Sequence, residues 1–355
     1  MTAEFQSLFQ SARGMPLVVA EISANHNGSL QKAMDTITAA KQSGADAVKI
    51  QTYTADTMTL NSEHPDFTIR GGPWAGNKLY DLYKQAQTPY EWHEPLFKHA
   101  KHEGIPIFST VFDETAVDLL EKLETPAYKV SSFELIDLPL IRYVAKTRRP
   151  LFLSTGMASK EEIAEAVGTA KEAGCSELVL LHCISSYPAP IEQANLTQMT
   201  ELKTTFKTPV GLSDHTMGMT ASIAAVAMGA KIIEKHFTLS RKDKGPDSGF
   251  SFEPDELRRL CEELRNTWLS LGQGEFRRAE SEQASKALRR SLYFGRDLPA
   301  GHAIVAADFR RIRPAGGLPP KFADEIIGKV LRVGVKKADP VNWEVFKRPA
   351  EEYPK

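Results

Sequence analysis

Between residues 17 and 271, eight short apolar runs alternate with stretches of helical periodicity, and that rhythm constrains the chain more than any other feature. The runs fall at 17–23, 47–53, 106–112, 127–132, 151–156, 178–185, 210–216 and 232–239. Continuous apolar runs mark strands buried on both faces, as parallel strands covered by helices are. Residues 160–173, 220–228 and 254–271 carry apolar side chains near helical spacing. Gly44, Gly104, Gly174 and Gly229 stand where a left-handed residue ends a helix. Eight β–α units in ~250 residues predict a TIM barrel ahead of an open doubly wound sheet, which would need helices on both faces.

A chain of 355 residues is too long for one ordinary core. Residues 1–271 read as the barrel domain, 272–290 as a polar linker, and 291–355 as a small, turn-rich, mostly β domain. Its short runs at 291–294 and 326–334 are separated by Pro/Gly turns. The connection 54–89 breaks the short-loop pattern of the barrel, and loops of that length in compact domains are functional or disordered. Trp74, Tyr80, Tyr83, Tyr90 and Trp92 argue against disorder. The stripe from Leu79 to Tyr83 reads as helix packing rather than a sugar platform.

Bulk properties narrow the partners. A net charge of −1 gives no reason to expect nucleic acid or a membrane surface. No stretch approaches the ~20 apolar residues of a membrane span, and residues 1–14 hold no signal-like run. Cys175, Cys183 and Cys261 are well separated, so a reduced cytoplasmic protein is expected.

The apolar runs close on reactive groups, at the edge where α/β barrels carry their chemistry. His215 in Val210-Gly-Leu-Ser-Asp-His-Thr216 and His236 in Glu234-Lys-His-Phe-Thr238 stand in matching contexts and could share one divalent ion; alone, each would read as a hydrogen-bonded core histidine. Around them the strand ends supply Glu21, Asn25, Lys49, Gln51, Ser109, Thr110, Lys129, Ser132, Glu134, Ser154, Thr155, Ser185, Tyr187, Ser213, Asp214 and Glu234. Two lysines among several hydroxyls form a cup for a phosphate-like anion, although Lys49 or Lys129 could instead pair with Glu21 or Glu134. No P-loop and no dinucleotide fingerprint is present.

In this order, Ala20-Glu-Ile-Ser-Ala-Asn-His-Asn-Gly-Ser29, Lys49-Ile-Gln51, Leu153-Ser-Thr-Gly-Met157, Leu181-His-Cys183, Gly211-Leu-Ser-Asp-His-Thr216, Glu234-Lys-His-Phe-Thr238 and Gly245-Pro-Asp247 resemble the nonulosonic (sialic-type) acid synthases. The segment 291–346 is similar to the antifreeze-like (SAF) domain that follows the barrel in that family. The resemblance implies condensation of phosphoenolpyruvate with an acylamino sugar to a nine-carbon α-keto acid, with release of phosphate. It implies that His215 and His236 hold Mn²⁺ or Mg²⁺. Lys49, Thr110, Lys129, Ser132, Ser154, Ser185 and Ser213 would take the phosphoenolpyruvate, with Ser185 standing where sialic acid synthases tend to have Asn. Gln51, Glu134, Tyr187, Asp247 and Arg313 would face the sugar, Arg313 from the small domain of a partner in a domain-swapped homodimer. Glu21 and Glu234 are the carboxylates available for proton transfer or for orienting a ligand, with Glu21 the candidate acid at the aldehyde oxygen. Phe133 and the 72–92 stretch look most like the pseudaminic acid synthases; N-acetylneuraminate and legionaminate synthases are the neighbouring alternatives, and a metal-dependent pyruvate aldolase a more distant one.

Overall fold

The computed structural model describes residues 14–346 apart from 73, 273, 275 and 277; the first segment, the tail of the small domain and parts of the linker lie outside the described residues. The chain divides into two compact units after Gly272. The first is a closed barrel of eight parallel strands, each hydrogen-bonded to the next in sequence, with β8 closing on β1. The strands are β1 (Leu17–Glu21), β2 (Ala47–Thr52), β3 (Ile107–Val111), β4 (Tyr128–Val130), β5 (Leu151–Ser154), β6 (Leu178–Cys183), β7 (Val210–Asp214) and β8 (Ile232–His236). The outer helices are α1 (Leu30–Gln42), α2 (Ala55–Met58), α3 (Leu79–Ala86), α4 (Tyr90–Glu103), α5 (Glu114–Lys122), α6 (Leu138–Ala145), α7 (Lys160–Glu172), α8 (Gln198–Phe206), α9 (Thr220–Ala227) and α10 (Pro254–Ser270). None is long and apolar enough to cross a membrane among the described residues.

All eight expected strands are present, and each ends one to three residues before its expected boundary. The polar residues just past each apolar run leave the ladder and turn into loops, so Ser132, Ser185 and His215 follow their strands rather than sit in them. Helix ends carry local signals. Ser159 and Glu162 reciprocally cap α7, at 3.2 and 2.7 Å, and Asp113 accepts from the amides of Thr115 (2.7 Å) and Ala116 (3.2 Å) to start α5. Gly44, Gly104, Gly174 and Gly229 all have positive φ; Gly104, at +66°, is the left-handed cap of α4.

Alternation along each strand sorts side chains into two cores. Outward residues such as Val18, Val48, Tyr128 and Leu180 pack against the helices in the large cluster. Inward residues Leu17, Val19, Ala47, Phe108, Ala127, Phe152, Val179, Leu181 and Ile232 fill the lower barrel interior.

Among its described residues the second unit holds one antiparallel strand pair, β9 (Ser291–Phe294) with β10 (Phe309–Ile312), and a short helix, α11 (Ala323–Ile326). Its core gathers Leu292, Phe294, Leu298, Ile304, Ile326, Leu331, Val335, Val341 and Phe346. The run expected at 326–334 makes isolated bridges through Val330 and Leu331 rather than a strand. Turns every few residues leave no room for a longer ladder.

Candidate active site

Two residues above the apolar plug, the same inward positions become charged. Glu21 ends β1, Lys49 lies on β2, Lys129 on β4 and Glu234 on β8, and all are at most 5% exposed. Lys49 forms an ion pair with Glu21, donates to Thr110 Oγ1 at 2.7 Å and lies 3.9 Å from Glu234. Lys129 Nζ donates to both Glu234 oxygens at 3.1 and 3.3 Å, and Ser213 Oγ donates to Glu234 Oε1 at 2.8 Å. Gln51 Nε2 reaches Glu21 Oε1 at 3.3 Å. The partner of Lys129 is therefore Glu234, not Glu134, whose carboxylate takes the Ser131 hydroxyl.

This floor balances two positive against two negative groups, and the carboxylates do not share the field equally. Burial raises the Glu21 pKa, more than Lys49 lowers it, and the nearby Glu234 charge adds to the rise. Burial acts on Glu234 too, but Lys129, Lys49 and the Ser213 hydrogen bond outweigh it and hold that carboxyl below its ordinary range. Glu21 is thus the member of the pair suited to carry a proton near neutral pH.

His215 and His236 lie above this floor with ring centroids 5.4 Å apart. His215 Nδ1 donates to the Ile184 carbonyl at 2.9 Å, which places a proton on that nitrogen and makes Nε2 the one able to bind a cation when unprotonated. Burial lowers the His215 pKa, but Cys183 and the Ile184 carbonyl outweigh it and raise the value. Burial, then the neighbouring His215 and Lys49, push the His236 pKa well below its usual value, so that ring is neutral. Its Nδ1 is buried without a hydrogen-bond partner among the described residues. The Tyr187 ring lies 4.2 Å from His215 at a tilt of 41°, and Phe250 packs edge-on to His236 at 5.0 Å.

The four floor residues, Ser213 and both histidines line one cavity of about 420 Å³. It also takes in Thr110, Ser132, Ser154, Gln51, Glu134, Tyr187 and Asp247. Ser154 Oγ is buried and unpartnered among the described residues. Ser132 Oγ accepts from the Gly156 amide at 3.0 Å, and a Cβ at position 156 would come within 2.8 Å of that hydroxyl and also collide with Ser185 Oγ. Gly156 therefore keeps both hydroxyls and its own backbone close together. Burial pushes the Asp247 carboxyl up to about 6, and it accepts from the Ser23 hydroxyl and the Ala24 amide.

Two expected site residues stand apart. Ser185 is beside the cavity rather than lining it, with Oγ 3.8 Å from Cys183 Sγ. Arg313 belongs to the second unit, where it is exposed just past β10. Other strand-end residues face outward. Asn25 binds the Phe237 carbonyl and Ser251 at 2.9 Å each, and Asp214 pairs with Lys235 at 2.9 Å behind the barrel wall. Ser109 bonds the Ile50 carbonyl and Thr52, again outside.

Cys183 and Tyr53 also line the cavity without having been marked as site residues. Cys183 had a signal: it shares the inward parity of Val179 and Leu181. Helical spacing makes the α3 stripe look like packing, yet Leu79, Leu82 and Tyr83 face the cavity, while Tyr80 turns away to donate to Asp56 at 3.1 Å.

Residues 36–276 match the NeuB family and residues 289–347 match the SAF domain. The chain belongs to the NeuB family. A Campylobacter jejuni pseudaminic acid synthase is 43% identical across 91% of this chain and 94% of its own length. A Legionella pneumophila N,N'-diacetyllegionaminic acid synthase is 37% identical across 92% of this chain and 93% of its own. Among solved structures, the N-acetylneuraminic acid synthetase of Leptospira borgpetersenii, in complex with citrate, superposes with a TM-score of 0.69 at 31% identity, covering 77% of this chain and 90% of that one. The Campylobacter and Legionella relatives match over stretches long enough to take in both units.

Proposed function

We propose that this NeuB-family chain is a pseudaminic acid synthase, a transferase that joins phosphoenolpyruvate to 2,4-diacetamido-2,4,6-trideoxy-L-altrose and releases pseudaminic acid and phosphate by C–O cleavage. The observation that carries the reading is the buried Glu21–Lys49–Lys129–Glu234 floor beneath two imidazoles, in a chain 43% identical to a pseudaminic acid synthase.

In this reading the donor's phosphate and carboxylate are drawn by Lys49 and Lys129, and the hydroxyls of Thr110, Ser132, Ser154 and Ser213, which line the cavity as Ser185 does not, complete its hydrogen bonds. The unpartnered Ser154 hydroxyl gains an acceptor when an anion enters, which favours occupancy. Gln51, Glu134, Tyr187 and Asp247 orient the sugar so that its aldehyde carbon meets the donor's C3. As that bond forms, the aldehyde oxygen becomes a hydroxyl by taking the proton held on Glu21. Water adds to C2, its proton being accepted by the Glu234 network, and phosphate departs from the same carbon.

The histidine pair fits a divalent cation such as Mn²⁺ or Mg²⁺. His236 Nδ1 is without a hydrogen-bond partner among the described residues, His236 is neutral, and Ile184 orients His215 from behind, as metal-bound histidines are oriented. When bound there, the ion supplies Lewis-acid polarisation of the aldehyde oxygen. Among the described residues no group of three or more His, Cys, Asp or Glu is gathered for a metal, so the remaining ligands would come from substrate and water.

The reading includes a homodimer in which Arg313 reaches the partner's sugar site. Phe133 (58% exposed), Ile136 (66%) and Met157 (65%) on the loops after β4 and β5 leave apolar surface that a second subunit would cover. Mixing inactive Arg313→Ala with inactive His236→Ala protein should restore part of the activity; no recovery after verified subunit exchange would remove this element. The function itself is tested by phosphate release from phosphoenolpyruvate with a panel of acylamino sugars. The trideoxy sugar should give the highest kcat/KM, and a preference for N-acetylmannosamine would overturn the assignment.

A further inference from the structure

One flank of the cavity carries no charge. It comes from the long connection after β2, where Met58, Ile69, Leu79 and Leu82 line the space. None of the four is fully buried, and α3 has no fully buried residue at all. A helix kept only for packing would bury its leucines; here Leu79 and Leu82 spend part of their surface on the cavity.

The flank is also built to stay in place. Thr54 and Thr57 cap α2 reciprocally at 3.1 and 3.3 Å, and the Ala55 amide donates to Gln87 Oε1 at 2.9 Å. Ile69 is held by main-chain bonds to Asn77 (3.0 Å) and Gly76 (2.9 Å). Trp74 Nε1 donates to the Pro246 carbonyl at 3.0 Å, tying the connection to the loop after β8. An apolar wall held this way is already formed when substrate arrives.

We infer that Met58, Ile69, Leu79 and Leu82 are the specificity-determining residues for the distal end of the sugar. They pack its methyl groups, those of the deoxygenated terminal carbon and of the acetamido substituents, while the aldehyde end faces the charged floor. The inference rests on the assignment of a diacetamido trideoxy sugar as acceptor. A sugar ending in a hydroxymethyl group places a hydroxyl against this wall with no partner. Such a wall discriminates by roughly ten- to two-hundredfold rather than absolutely.

The test uses full-length Leu82→Asn and Met58→Asn proteins with Mn²⁺ or Mg²⁺ present. It compares kcat/KM for the trideoxy sugar with that for N-acetylmannosamine, and records KM for phosphoenolpyruvate. The preference for the trideoxy sugar should fall roughly tenfold or more in each variant, with the phosphoenolpyruvate KM moving less than about threefold. Wild-type preference for N-acetylmannosamine would sink the assignment of the acceptor. Wild-type preference for the trideoxy sugar that both variants retain would sink the wall alone. Parallel loss toward both sugars with a raised phosphoenolpyruvate KM would mark a structural role and also overturn the inference. Ile69→Asn serves as the replacement should either variant fail to fold.

Discussion

The barrel interior has two storeys made by the same strands, and they differ in everything except burial. Val19 and Glu21, Ala47 and Lys49, Phe108 and Thr110, Phe152 and Ser154, and Ile232 and Glu234 are successive inward positions of one strand each. The lower member closes an apolar plug; the upper belongs to the cavity. Burying the four charged groups of the upper storey costs several kcal/mol each before pairing repays it. A third region completes the comparison. Outside the barrel, Thr52, Ser109 and His93 form a buried polar knot in which His93 Nδ1 donates to Pro89 at 3.1 Å and Nε2 accepts from Thr52 at 2.7 Å. That knot is neutral and paired, whereas the upper storey keeps Ser154 Oγ and His236 Nδ1 unpartnered among the described residues. Burial alone therefore does not mark a functional polar residue, and neither does an unmet bonding need by itself, since His26 Nε2 and Thr88 Oγ1 are also buried without a partner among the described residues. The two together at inward strand-end positions, as at Ser154 and His236, do.

The comparison breaks if the upper storey proves to hold the fold together. Replacing Lys129 and Glu234 together by Met and Leu should abolish phosphate release, a loss of at least ~10³-fold, while the melting temperature stays level or rises, because a buried ion pair gives way to apolar packing. Residual activity within about tenfold of wild type would contradict the role given to the floor. Chelation of the divalent ion should remove activity just as completely, with recovery on adding Mn²⁺ or Mg²⁺ and no loss of secondary structure by circular dichroism. Full turnover in a chelated, metal-free preparation would remove the metal from the reading.

The lower storey should answer in the opposite currency. Phe152→Ala, which deletes a ring packed at 5.5 Å from Phe108, should lower stability by about 3–5 kcal/mol in denaturant unfolding. Its turnover per folded molecule should stay within about threefold of wild type. Gly211 marks the boundary between storeys on β7. A Cβ there would meet the Ile232 carbonyl at 2.6 Å and Leu181 Cδ2 at 2.7 Å, so Gly211→Ala should cost about 1–3 kcal/mol. Unchanged unfolding midpoints in both variants would show that the plug is not a stability element.

Much of this division was legible in the sequence. Strands buried on both faces leave continuous apolar runs, so all eight could be located, and the step from apolar to polar at the end of each run pointed to the charged storey. The exact ends were not legible, because a residue such as Ser132 or His215 can leave the ladder and still point inward. Nor was the pairing: Lys129 and Glu234 are distant in sequence, and barrel closure alone brings them together. The wall at Leu79 and Leu82 escaped for a different reason. Apolar residues at helical spacing look the same whether they face a neighbouring helix or a ligand. In the small unit, turns interrupt every apolar run, and side-chain periodicity cannot separate a bridge from a strand.

The smallest expected effect tests the neutral knot. Burial lowers the His93 pKa from 6.5 to about 4, despite its hydrogen bond to Pro89. Above about pH 6.5 the imidazole is neutral in folded and unfolded chains alike, and its contribution is intact. Between about 6.5 and 4 the unfolded chain takes up a proton that the folded protein refuses, so this contribution is lost as pH falls through that window. His93→Gln retains an amide able to donate to Pro89 and accept from Thr52 but cannot take the proton. At pH 7 the variant should be less stable by about 1 kcal/mol. Its stability should then decline less steeply than wild type, by about 2–3 kcal/mol in total between pH 7 and 4.5. His26, whose pKa burial also lowers to about 4, keeps some acid sensitivity in the variant. Parallel stability curves for wild type and variant would show that His93 is not held neutral, and the contrast between a satisfied outer knot and an unsatisfied inner ring would lose its outer half.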